Sequence, residues 1–193
     1  MKKETDKLRK TLAVLRRLYY KVPVEGLKPI AEGIFNSHLR YGIILTVKPR
    51  LTSEEESNST LKELQTLQNE MQRIILGIKR EDRVRNEDVW ERSKMQTVNH
   101  MACYHNLMEM HNIIRGGASE TLHESLGQSD RSDRVTRSQT TDTVKIPMKS
   151  RNNGFTYFGA KLWNRIPEEY KNLKSGSFKT AVKEWITDNI PLA

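Results

Sequence analysis

The sequence predicts a mostly α chain, a small helical packet followed by a short aromatic-rich C-terminal module. Three observations carry this. Apolar residues recur every three or four positions over several long stretches, the spacing that lines one face of a helix. Proline, glycine and serine clusters punctuate those stretches where helices stop. Of the 13 aromatic residues, 7 fall after position 150, behind a polar segment almost devoid of aliphatic side chains.

The first helix is expected over Asp6 to Tyr20. Leu8, Leu12, Leu15 and Tyr19 fall within about one sixth of the helical wheel, with Arg9, Lys10, Arg16, Arg17, Tyr20 and Lys21 on the opposite side. Pro23 ends it. A second helix starts near Lys28 or Pro29, because proline is tolerated in a first turn. Ile30, Ile34, Phe35, His38 and Leu39 then face inward, and Tyr41–Val47 either continues the helix or turns extended. Residues 48–59 read as a loop.

The central element is Thr60 to Gly77. Leu61, Leu64, Leu67, Met71, Ile74, Ile75 and Ile78 share one side, and Lys62, Gln65, Thr66, Asn69, Gln72 and Arg73 the other. Thr60 with Glu63 forms a capping box, and Gly77 supplies a left-handed stop. A charged link follows, with Asn86 as N-cap of a short helix around Val89 and Trp90. Thr97 to Arg115 makes a longer helix, with Val98, Met101, Ala102, Tyr104, His105 and Met108 for packing and Gly116-Gly117 ending it. Ser119 caps a further turn or two through Leu122 and Leu126.

Residues 127–143 alternate in charge and contain one aliphatic residue, Val135, so they read as a flexible linker. Val144–Met148 suggests a short edge strand limited by Pro147. Two short helices, 157–165 and 177–188, complete the chain, the second capped by Ser177 with Phe178, Ala181, Val182, Trp185 and Ile186 inward. The expected organisation is a helical body at 1–126, a linker at 127–143 and an aromatic module at 144–193.

With 193 residues, 36% hydrophobic and 30% charged, the core is modest. The net charge of +9 and pI near 9.7 favour polyanionic partners, nucleic acid before anionic membrane. That charge is uneven: +8 over 1–50, −4 over 51–126 and +5 over 127–193. Cys103 is the only cysteine, which excludes an internal disulfide and fits a reducing compartment. No apolar run approaches the ~20 residues that cross a bilayer. The opening MKKETDKLRK is not a signal peptide, so a cytoplasmic or nuclear location is expected, with no membrane partner and no small-molecule substrate.

Catalytic and metal patterns fail on geometry. On one helix His105 points about 140° from His100, and His111 lies about 16 Å beyond it. One tetrahedral ion at ~2.0–2.3 Å cannot gather these with Cys103. Glu169-Tyr170-Lys171 resembles a nuclease triplet but lacks the adjoining strands that such sites use. No cation near Cys103 activates it as a nucleophile, no glycine-rich phosphate loop occurs, and no cofactor is expected.

Three blocks carry a resemblance. They are LRKTLAVLRRL (8–18) with IFNSHLRYGIIL (34–45), ELQTLQNEMQRIILG (63–77), and GFTYFGAKLWNRIPEEYKNLKSGSFKTAVKEWI (154–186). In order and spacing they resemble the C-terminal end, thumb and downstream, of reverse transcriptases from non-LTR (LINE-type, jockey-like) retrotransposons. Most distinctive is Leu162-Trp163-Asn164-Arg165-Ile166-Pro167 with Ser177-Phe178-Lys179 downstream. The family's catalytic Tyr-x-Asp-Asp turn has no counterpart within the chain, and Ile43-Ile44 stands where the family usually has Trp-Gly. The resemblance therefore implies a non-enzymatic segment of an RNA-directed DNA polymerase, possessing a thumb-like packet.

A thumb of this kind tracks the backbone of a template–primer duplex or RNA–DNA hybrid through phosphate contacts that carry no sequence information. The residues implied are Arg9, Lys10, Arg16, Arg17 and Lys21 on the first helix, with Arg40, Lys79, Arg80, Arg83 and Arg85 behind them. The partners implied are nucleic acid and the rest of a retrotransposon polymerase. The alternative is a helical protein–protein interaction module, or a decayed element, with no nucleic-acid role. The nucleic-acid expectation requires Arg9, Arg16 and Arg17 to share a face clear of protein carboxylates.

Overall fold

The computed structural model describes residues 2–117, 144, 146 and 154–192, without the side chains of residues 2–4 and 80. The expected turn after Ser119 and the linker at 127–143 lie outside these. The chain is mostly α, with helices α1 (Lys2–Tyr19), α2 (Val24–Arg40), α3 (Ile43–Thr46), α4 (Ser59–Leu76), α5 (Asn86–Ser93), α6 (Val98–Ile114), α7 (Phe155–Arg165), α8 (Glu168–Lys171) and α9 (Ser175–Asn189). It divides into two compact units. Unit 1 contains Met1–Val47 and Ser57–Met101, and unit 2 contains Lys48–Glu56 and Ala102–Leu192.

In unit 1, α1, α2 and α4 pack pairwise and α5 lies on α4. The α1 stripe expected from the sequence is the buried one: Leu8, Leu12 and Leu15 are almost wholly inaccessible. Each such leucine contributes about 1.5–3 kcal/mol through burial. The helix begins at Lys2, earlier than expected. Helix α2 also begins early, at Val24, which puts Pro29 inside it. Pro29 there forfeits one backbone hydrogen bond. Its buried side is Leu27, Ala31, Phe35, Asn36 and Leu39. Ile34, expected inward, is exposed, and Ile30 and His38 are half-buried. Gly42, at φ +70°, breaks the helix, and α3 adds a single turn.

Helix α4 departs from the expected pattern at its cap. Its cap is Asn58, whose Oδ1 accepts from the Leu61 N–H at 2.7 Å, two residues ahead of the expected Thr60 box. Gly77 does take the left-handed stop, at φ +66°. A Cβ there would stand 2.5 Å from the Tyr19 hydroxyl, so a larger residue would also displace the end of that side chain.

Half of the polar side of α4 is buried: Gln65, Asn69 and Gln72 are inaccessible, whereas Lys62 and Thr66 are exposed and Arg73 is half-buried. Amides bury where their donors and acceptors find partners, and most of these do. Gln65 Nε2 donates to Gln68 Oε1 (3.0 Å) and Asn69 Oδ1 (2.8 Å), and Gln65 Oε1 accepts from the Val98 N–H (2.8 Å). Asn69 Oδ1 also accepts from Trp90 Nε1 (2.8 Å), and Gln68 Nε2 donates to the Gln96 carbonyl (2.8 Å). Gln72 is different. Neither its oxygen nor its nitrogen has a partner among the described residues.

The link to α5 is pinned by Arg73, which donates to the Val84 carbonyl (2.8 Å) and Asn86 Oδ1 (2.9 Å). Asn86 is the first residue of α5, with Arg85 at the cap position. The C-terminal end of α5 is closed by Lys94 at φ +53°, and Lys28 donates to the Ser93 carbonyl at 2.9 Å. A cation there also suits the helix dipole.

Unit 2 has its own core: Leu51, Cys103, Leu107, Met110, Ile113, Leu162, Trp163, Ile166, Phe178, Val182, Trp185, Ile186 and Ile190. Helix α7 approaches α6 so closely that a Cβ on Gly159 would lie 2.8 Å from Met110. Helix α9 starts at Ser175 behind Lys174, not at a Ser177 cap. Val144 belongs to no strand. Asn164 instead donates to its carbonyl (2.8 Å) and accepts from its N–H (3.0 Å), supplying both bonds a neighbouring strand would have made.

Candidate functional site

The candidate cations of α1 fall into two groups, and helix geometry explains why. Arg9 and Arg16 stand about 80–100° from the Leu8 stripe, so they flank the buried seam, whereas Lys10 and Arg17 stand about 180–200° away. The flank meets α4. Arg9 pairs with Glu63 at 3.2 Å and with Asp6 at 3.5 Å, and Arg16 pairs with Glu70. Both interhelical pairs advance by seven residues in the same direction, which makes α1 and α4 parallel. The expectation that Arg9 and Arg16 stand clear of carboxylates is therefore corrected. These pairs are more than half exposed on the arginine side, and such pairs add only about 0.2–1 kcal/mol each. Their electrostatic effect is larger than their stability effect, since Glu63 and Glu70 cancel the positive charge of this flank.

Lys10, Arg17 and Lys21 remain. All three are exposed, and none has an ion pair among the described residues. Lys10 and Arg17 are separated by about 10.5 Å along the axis. Lys7, one turn before Lys10 and also exposed, was not singled out from the sequence.

The cations behind α1 divide by end. Because α1 and α4 are parallel and Tyr19 lies on Gly77, Lys21 and Lys79 follow the same end of the helix pair. Arg83 and Arg85 flank Val84, whose carbonyl is held by Arg73 in the last turn of α4, so they belong there too. All of Lys79, Arg83 and Arg85 are exposed. Glu81, Asp82, Glu87 and Asp88 are interspersed among them, and Asp82 Oδ2 accepts from the Lys79 N–H at 2.7 Å. Arg40 is exposed at the other end, where Leu39 and Tyr41 line a small cleft with Thr5 and Leu8. The Arg80 side chain lies outside the description.

The residues weighed for other chemistry have structural partners. Cys103 is fully buried, and burial pushes its thiol well above the ordinary range. His111 stacks on Phe178 with centroids 4.2 Å apart, and its Nε2 lies 3.1 Å from the Leu173 carbonyl. Lys171 is buried and donates to Glu168 at 3.0 Å. Among the described residues no group of three or more His, Cys, Asp or Glu is placed to hold a metal ion. No helix among them is long and apolar enough to cross a membrane.

The pairing of Arg9 and Arg16 had one signal in the sequence, the shared seven-residue step of Arg9/Arg16 and Glu63/Glu70. It is readable only once the two helices are known to lie parallel. In comparisons with protein-family models, with curated proteins and with solved structures, nothing matches.

Proposed function

We propose that unit 1 is a non-catalytic, thumb-like nucleic-acid-binding packet, similar to the C-terminal part of a non-LTR retrotransposon RNA-directed DNA polymerase. It grips the backbone of a template–primer duplex or RNA–DNA hybrid. The observation that carries this reading is the solvent side of α1, where Lys10, Arg17 and Lys21 are exposed and have no carboxylate partner among the described residues. Arg9 and Arg16 are paired with Glu63 and Glu70 of α4, so the three-arginine face that the sequence-based expectation required is not formed, and the proposal rests on Lys10, Arg17 and Lys21 instead. Three phosphate contacts give a slope of log K against log salt of about −2.7 on duplex DNA, and each contact from Lys79, Arg83 or Arg85 adds about −0.9. Fluorescence anisotropy of a labelled duplex, titrated at several salt concentrations, measures that slope. A flat response removes the proposal.

A second reading is a protein–protein interaction module. It is favoured by Ile34, Tyr41 and Leu45, which are 42%, 78% and 82% exposed near the end of α2 and on α3. Tyr41→Ser with Leu45→Ser would abolish that contact and leave the salt slope untouched.

A further inference from the structure

Tracking a nucleic-acid backbone from the cationic side of α1 needs no aromatic group. Yet the most exposed large apolar side chain among the described residues is Tyr20, at 87%, and it sits inside the cationic end of α1. Although α1 is assigned only to Tyr19, the Val22 N–H still bonds the Leu18 carbonyl at 2.9 Å, so Tyr20 projects as on a helix. Residues three and four apart are neighbours on that surface, which places Arg16 and Arg17 one turn behind its ring, with Lys21 next in the chain.

The ring is held without being covered. Tyr19 meets it edge-to-face, with centroids 5.4 Å apart and planes at 81°. Tyr19 itself is half-buried, with its hydroxyl close to Gly77. An aromatic ring held from beneath, open above and bordered by cations is the combination that takes an unpaired base: the ring stacks on the base and the cations hold the adjoining phosphates. An intact duplex offers such a face only at its ends.

We infer that Tyr20 is a base-stacking residue and that the α1 end takes single-stranded nucleic acid or a strand terminus, in addition to duplex backbone. This rests on the nucleic-acid reading above and names its ligand more closely. Arg17 and Lys21 supply the phosphate contacts, and Tyr20 supplies a contact that salt does not screen.

The test uses the full chain with fluorescein-labelled oligothymidylate and, separately, a labelled covalently closed circular duplex, which presents no terminal base. Tyr20→Ala is expected to weaken oligothymidylate binding about 5- to 150-fold, with the salt slope unchanged. Tyr20→Phe and Tyr20→Trp should retain it. Binding along the duplex should change less than threefold. Since Tyr20 is exposed, the alanine variant should keep the parent's circular dichroism and melting temperature. Unchanged oligothymidylate affinity in Tyr20→Ala, with wild-type binding still salt-dependent, overturns the stacking inference alone. Equal losses on both probes also overturn it. Salt-independent binding of the wild type to both probes overturns the nucleic-acid reading and this inference with it.

Discussion

Two glutamines on one face of α4, about two turns apart, should respond to substitution with opposite signs. Gln65→Leu removes an amide that makes three buried hydrogen bonds, at 2.8, 3.0 and 2.8 Å. It strands the Val98 N–H and Gln68 Oε1, while Asn69 Oδ1 keeps its bond from Trp90. A stranded buried group costs about 1–3 kcal/mol, partly offset by the apolar side chain introduced, so a net loss of about 2–3 kcal/mol is expected. Gln72→Met is the reverse case. Gln72 is wholly buried with both polar atoms unpartnered, and a thioether of similar shape removes their desolvation penalty. A gain of about 1 kcal/mol is expected. For a chain of this size each kcal/mol moves the melting temperature by roughly 2–4 °C. Thermal melts by circular dichroism, with urea titrations to check that the m-value is constant, separate the two. A neutral Gln65→Leu, or a Gln72→Met that destabilises by more than about 1 kcal/mol, would refute the view that hydrogen-bond partners decide which α4 amides tolerate burial.

Further outcomes follow from single positions. Lys94 closes α5 at φ +53°, a conformation that costs a side chain roughly 1–2 kcal/mol. Lys94→Gly should therefore raise the melting temperature despite adding a glycine. Asn58→Ala removes the α4 cap and should cost about 1 kcal/mol. Burial raises the Cys103 thiol above its unfolded value of about 8.5. The folded state thus keeps a proton that the unfolded state loses, and stability falls as pH rises above that value, by up to about 1.4 kcal/mol per unit. Cys103→Ala should flatten the stability profile between pH 8.5 and 10, and a thiol reagent should modify wild-type Cys103 only on unfolding.

What the sequence disclosed depended on how far apart the interacting residues are. The α1 stripe and the Gly77 stop rest on spacing and backbone chemistry within a turn or two, and both are where the pattern puts them. The buried amides of α4 do not. Gln65 reaches Val98 and Gln68 reaches Gln96 across the chain, so no local pattern shows that they are buried. Leu51 lies in a segment rich in serine and glutamate that reads as a loop, and it is a loop. Its burial in the unit 2 core, with Arg165 donating to its carbonyl at 2.8 Å, has no local signature. The candidate site divides the same way. That Lys10 and Arg17 oppose the buried stripe follows from helix period, but that Arg9 and Arg16 meet Glu63 and Glu70 depends on which helix lies beside α1 and in which direction.

The most direct measurement compares two double variants on one labelled DNA duplex across a salt series. Arg17→Ala with Lys21→Ala removes two free cations and should flatten the slope of log K against log salt by about 1.8. Arg9→Ala with Arg16→Ala removes two cations already paired with α4 and should leave the slope nearly unchanged. Equal loss in both variants, or loss only in the second, would contradict the assignment of the backbone contact to the solvent side of α1.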